Sequence, residues 1–299
     1  MPQWEGKSKG TTSGYRFFVW ILKNFGVLPA YILLKFVILH FILFSLRPNK
    51  AIYSFYHHRL GYGRLASILR IYRNYDLLGQ SIIDKVVMMA GIKNKFTFNF
   101  DGEENLHEIA AMEKGGILLS AHIGNWDIAG HLLKRLNTRI NIVIFDGEHE
   151  QIKEYLSAIT EPRSVNIITI KNDLSHIYEI SDAFKNNELV CMHADRFLEG
   201  NKTLTTGFLG KNARFPMGPF ILASTFKVPV SYVFAVKESN FHYHLFASKI
   251  KDYSHMERGA VMKQMLAEYA NEMEIKVKEY PGQWFNFYDF WHQPGKDKN

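Results

Sequence analysis

From about residue 96 onward the chain alternates short apolar runs with stretches of helical spacing, and this alternation restricts the fold more than any other feature. "FTFNF", "GGILLSA", "INIVIF", "VNIITI", "ELVCMHA" and "VPVSYVFAV" read as strands, while residues 126–136, 148–160, 174–187 and 217–227 read as helices. Apolar runs of about four to eight residues bounded by turn formers suit buried strands. Strands alternating with helices pack as a sheet with helices laid on it. The expected class is therefore α/β: a mixed sheet flanked by helices, with an N-terminal hydrophobic helical segment ahead of it. At 299 residues and 47% hydrophobic content the chain can bury one full core with an appendage.

The appendage is "GYRFFVWILKNFGVLPAYILLKFVILHFILFSLRPNK". Residues 27–46 alone match the ~20 residues needed to cross a bilayer core. Lys35 and His40 interrupt that block, so an in-plane or half-inserted anchor competes with a span, and a buried hairpin of core helices also satisfies the pattern. Arg16, Lys23, Arg47 and Lys50 flank it, as contact with anionic headgroups requires. No small-residue cleavage site follows the run, which argues against a cleaved signal peptide. We therefore divide the chain into a membrane-anchoring segment, 1–50, and a catalytic domain, 51–299.

Charge and cysteine usage narrow the partners. Lys and Arg outnumber Asp and Glu by 36 to 29, a net charge of +7, which favours anionic lipid, nucleic acid or an acidic partner, or serves solubility alone; we expect no nucleic-acid partner. Cys191 stands alone, which excludes an internal disulfide and a cysteine-rich metal site, and no metal or cofactor is expected.

The chemistry concentrates in "ILLSAHIGNWDIAGHLL", residues 117–133. On one continuous helix His122 and Asp127 would lie ~140° apart and share no face. A turn at Gly124 and Asn125 instead leaves His122 at the carboxyl end of a strand and Asp127 in the first helical turn. That end of an open α/β sheet is the usual ligand site. A histidine oriented by a carboxylate acts as a general base, the carboxylate fixing the tautomer and stabilising the imidazolium. No G-x-S-x-G elbow is present, so the proton comes from a substrate hydroxyl or amine rather than a resident serine. By spacing alone, a helix-terminal Asp127 and a satisfied buried His122 are the better explanation of the pattern. Asn125 suits either a helix cap or a hold on the substrate carbonyl, and the backbone N–H groups of Gly124 and Asn125 are the first candidates to meet an oxyanion. Lys211 and Arg214, in "GKNARFPMG", suit a phosphate or the pantetheine arm, and a solvated loop explains them about as well.

"HIGNWD", preceded by "GGILLSA", resembles the H-x(4)-D/E block of glycerolipid-type acyltransferases, and its H-x-G-N-W form resembles the late acyltransferases of lipid A biosynthesis. "CMHADR" (191–196), "TTGFLGKNARFPMGPFILASTFKVPVSYVF" (205–234) and "YPGQWFNFYDFW" (280–291) are similar to further blocks of that family, in order. The resemblance implies transfer of a fatty acyl group from an acyl carrier protein or acyl-CoA thioester to a lipid acceptor, at the cytoplasmic face of the bacterial inner membrane. It also implies His122 as base, Asp127 as its orienting partner, and Asp195 and Arg196 as site residues. Where many members carry an arginine after the third strand, this chain has "IFDGEHE", with Asp146 and Glu148. "WEGKSKGT" (4–11) is similar to the start of acyltransferases of aryl polyene and flexirubin pigment synthesis, so the acceptor is less defined than the reaction.

Overall fold

The computed structural model describes residues 12–128, 136, 138–145, 166–170, 173–198 and 200–292. The expected helix at 148–160, most of that at 126–136, Asp146, Glu148 and the 4–11 segment lie outside the described residues.

Three helices open the chain: α1 (Thr12–Phe25), α2 (Val27–Phe44) and α3 (Leu46–Ser54). A π-helical turn, Phe55–Arg59, leads to the long α4 (Arg64–Met89). Then follow β1 (Thr97–Asp101), α5 (Glu103–Ala111), β2 (Gly116–Ser120), β3 (Ile140–Phe145), β4 (Asn166–Ile170), α6 (Ser175–Lys185) and β5 (Leu189–His193). The chain continues through the hairpin β6 (Thr203–Phe208) and β7 (Lys211–Pro216), α7 (Gly218–Phe226), β8 (Val230–Ser239), β9 (His242–Ala247) and α8 (Arg258–Glu279).

Seven strands form one sheet in the order β1-β9-β8-β2-β5-β3-β4, with β6 and β7 paired apart from it. β8 to β4 run parallel, as the buried apolar runs require, and β9 turns back antiparallel on β8. All five residues of β2 are buried, and β2 lies between β8 and β5. The carboxyl ends of β2 and β5 are therefore side by side, in register Ser120 to His193.

The apolar N-terminal segment does not stand apart from the sheet domain. α2 buries Val27, Ala30, Tyr31, Leu34 and Ile38. Gly79 on α4 leaves room for Leu34, whose Cδ1 lies 2.3 Å from where a Cβ would project. Lys35, the charge that interrupts the apolar block, reaches Asp76 of α4 at 2.5 Å. The boundary drawn at residue 50 falls inside α3.

A buried polar cluster fixes α2 and α4 to the sheet. The Asp84 carboxylate of α4 accepts hydrogen bonds from Tyr31 of α2 at 2.5 Å, from Tyr243 of β9, and from the Lys237 ammonium of β8. Lys237 also donates to the Tyr31 hydroxyl at 2.6 Å. Burial opposes both charges, pushing Asp84 up and Lys237 down, so the ionised pair depends on these bonds.

Candidate active site

His122 follows β2, and its imidazole is held by a carboxylate from the next strand over. Asp195, just beyond β5, accepts a bond from His122 Nδ1 at 2.7 Å through Oδ1 and one from the His122 backbone N–H at 3.1 Å through Oδ2. Asp195 is 1% exposed while the His122 side chain keeps 23% of its surface. Burial alone would raise Asp195, but His122, its hydrogen bond and the Arg196 guanidinium outweigh burial and hold the carboxyl well below the usual range. Burial, and then Arg196, push the His122 imidazole below its ordinary value of 6.5, against the pull of Asp195 and Asp127. A neutral ring beside an anionic carboxylate must use Nδ1–H as the donor, which leaves the Nε2 lone pair to take a proton.

The turn after His122 is fixed on every side. Gly124 has φ +69°, and a Cβ there would sit 1.9 Å from the Ala235 carbonyl oxygen, so only glycine fits. The C-terminal segment clamps the turn: Gly124 N–H donates to the Gln283 carbonyl at 2.9 Å, and Phe285 N–H to the His122 carbonyl at 2.9 Å. Trp284, 1% exposed, packs between Phe55, Phe208, Phe290 and Trp291 and anchors that clamp in the core.

The remaining expected residues divide. Asp127 makes no hydrogen bond to His122; it pairs with Lys85 of α4 at 3.1 Å and acts on the imidazole only through space. The orienting contact expected of Asp127 is thus made by Asp195, because the turn at Gly124 carries Asp127 towards α4. Asn125 is 3% exposed: its Nδ2 donates to the Ser81 carbonyl at 2.9 Å and its Oδ1 accepts from Ile128 N–H at 3.4 Å, the geometry of a buried cap. Arg196 donates to the Phe285 carbonyl, joining the β5 end to the clamp. Arg214 of β7 stacks on Phe197 at 5.0 Å, beside the segment that carries Asp195 and Arg196.

The backbone donors expected for an oxyanion are already used. His122 N–H goes to Asp195, Ile123 N–H to Ala121, Gly124 N–H to Gln283, and Asn125 N–H to Ala235 at 2.7 Å.

One neighbour was not singled out in the sequence. The last residue of β5, His193, stacks its ring on His122 with centroids 4.2 Å apart and meets Trp126 edge-on at 5.1 Å. His193 also lines an apolar pocket with Ser120, Trp126, Ile142, Cys191 and Val233 along one face of the sheet. Its place at a strand end, two residues before Asp195, was the available signal. The ligating atoms of His122, His193 and Asp195 lie within 4.8 Å of one another. A divalent metal bound through His122 Nδ1 would displace the proton shared with Asp195 and so remove the base.

An imidazole oriented by a buried carboxylate, beside an apolar pocket at the carboxyl ends of parallel strands, has the chemistry to take a proton from a substrate with a hydrocarbon part. The sequence profile of the bacterial lipid A biosynthesis acyltransferases matches residues 71–293, and the chain belongs to that family. Two phosphatidylinositol mannoside acyltransferases of Mycobacterium tuberculosis strains are 27% and 26% identical over 123 residues, 41% of this chain and 39% of theirs. The chain thus aligns with well under half the length of those relatives. Among solved structures, the 1-acyl-sn-glycerophosphate acyltransferase of Thermotoga maritima superposes with a TM-score of 0.37 at 13% identity, over 83% of this chain and 97% of that one.

Proposed function

We propose that this chain moves a fatty acyl group from a thioester of acyl carrier protein or coenzyme A to a hydroxyl or amine of a lipid acceptor, in lipid A or related outer-membrane lipid synthesis. The observation that carries the reading is the His122 imidazole, tautomer fixed by Asp195, beside the apolar pocket. His122 Nε2 takes the acceptor proton as the acceptor oxygen or nitrogen bonds to the thioester carbonyl carbon, and the carbonyl electron pair moves onto oxygen. Collapse restores C=O and breaks the C–S bond, and the thiolate leaves with the proton from His122. Asp195 stabilises the imidazolium in between.

A thioester-consumption assay with and without a bacterial lipid extract tests this. Transfer requires the extract and yields labelled lipid. Consumption that is equal without lipid identifies a hydrolase, and none in either condition a non-catalytic protein.

Exposed apolar side chains on the N-terminal helices support attachment to a membrane. α2 has a mean hydropathy of 2.3 and presents Leu28, Ile32, Phe36, Leu39 and Leu43 outward. Phe17 and Trp20 of α1 and Leu65, Ile68 and Leu69 of α4 are also exposed. α2 is long enough to span, ~27 Å at 1.5 Å per residue. Its inner face is nonetheless packed on α4, with Lys35 on Asp76 and Tyr31 on Asp84, so we read the anchor as lying in the plane of one leaflet. The cytoplasmic face of the bacterial inner membrane is the proposed location. Ile32→Glu combined with Phe36→Glu should shift most of the protein from the membrane pellet to the supernatant at unchanged melting temperature. Retention of the double variant in the pellet after a high-salt wash would count against in-plane attachment through this face.

A further inference from the structure

The catalytic turn leaves no backbone N–H from residues 122–125 for the oxyanion, since each is bonded within the protein. A tetrahedral intermediate in an apolar site still needs a donor, because an unmet oxyanion away from water is costly. Among the described residues, His193, whose ring stacks on that of His122, has the right chemistry. Both ring nitrogens of His193 are buried without a hydrogen-bond partner. The Ala121 carbonyl lies near enough to favour a proton on the ring, but not in hydrogen-bonding geometry. Buried polar groups left unpaired by the protein itself are rare and call for a ligand or another explanation.

We propose that His193 is a catalytic residue that donates an N–H to the thioester carbonyl oxygen as it becomes an oxyanion; the proposal rests on the acyl-transfer reading above. Its ring is nearly parallel to that of His122, at 28°, with the ring centroids 4.2 Å apart. One tetrahedral carbon can therefore touch both rings, its attacking oxygen at His122 and its oxyanion at His193. The pocket that His193 lines is apolar where it runs past Ile142, Cys191 and Val233. Burial, and then the neighbouring His122, hold His193 well below the ordinary imidazole range, so the ring is neutral at neutral pH. A neutral imidazole donates without giving up its proton, and His193 ends the step in the tautomer in which it began.

The experiment compares His193→Ala, His193→Phe and His193→Gln with wild type and with His122→Ala, using palmitoyl thioesters of coenzyme A and acyl carrier protein with bacterial lipid extract as acceptor. Phe keeps the stacked ring and removes the donor, whereas Gln keeps a neutral donor. Loss of one oxyanion donor is expected to lower kcat ~10²- to 10³-fold in the Ala and Phe variants, with KM little changed, and Gln should recover at least about a tenth of wild-type kcat. Melting temperatures of the Phe and Gln variants should stay close to wild type. A Phe variant with wild-type kcat, a loss confined to KM, or no difference between Phe and Gln overturns the assignment. Full transfer by His122→Ala would overturn the underlying base reading instead.

Discussion

Replacing His122 by alanine should leave a folded, membrane-bound protein with almost no acyl transfer. General-base catalysis is typically worth ~10²- to 10⁴-fold, about 2.7 to 5.5 kcal/mol of barrier. The side chain is partly exposed and leaves no large void, so its removal acts on chemistry more than on stability. The same residue should set the acid limb of the pH profile. The base works only when deprotonated, and burial places His122 below its ordinary value of 6.5. Activity therefore falls as pH drops through a value lower than 6.5 and is flat from there to neutrality. Specific activity per folded molecule, measured across pH, checks both statements.

Much of this arrangement was legible in the residues; the helices α5 and α8 and the β6–β7 hairpin were not read, and the contact at the centre of the site is non-local. Each apolar run read as a strand forms one: buried β2 leaves a short uninterrupted signal, and the edge strand β1 a period-two alternation. The hairpin of β6 and β7 escaped, since "TLTTGF" and "KNARFP" are half-exposed and polar. His122 and the turn at Gly124 were visible because the turn is local. The carboxylate that holds His122 lies 73 positions away, and no spacing rule reports a contact made by two parallel strands ending side by side. The five-residue spacing to Asp127 suggested a local pair, whereas the backbone at Gly124 sends that side chain to Lys85. Lys35 looked like a charge stranded in lipid until α4 supplied Asp76.

Asp84→Ala should be the most destabilising substitution outside the active site. Asp84 is fully buried and gathers Tyr31, Lys237 and Tyr243 from three elements. Removing it strands the Lys237 ammonium, which is only 5% exposed, and breaking a buried pair in this way costs about 3–5 kcal/mol. The loss also loosens α2 from the sheet and frees Tyr243, to which Asn125 of the catalytic turn donates at 3.4 Å. Denaturant unfolding in detergent should show the loss. The double variant Asp84→Leu, Lys237→Met should recover much of it, because neither charge is then left alone. A single variant within 1 kcal/mol of wild type, taking about 1 kcal/mol as the worth of an ordinary hydrogen bond, would show that the cluster does not hold the helices.

The most direct measurement is acyl transfer per folded, membrane-bound molecule for Asp195→Asn, Asp127→Asn, His122→Ala and the pair His122→Ala, Asp195→Asn. Residues that act as one unit are non-additive. We therefore expect Asp195→Asn to lose at least ~10²-fold and the double variant to be no worse than His122→Ala, while Asp127→Asn, which acts on the imidazole only through space, retains clearly more activity than Asp195→Asn. Near wild-type transfer by Asp195→Asn, together with an Asp127→Asn variant as inactive as His122→Ala, would contradict the account.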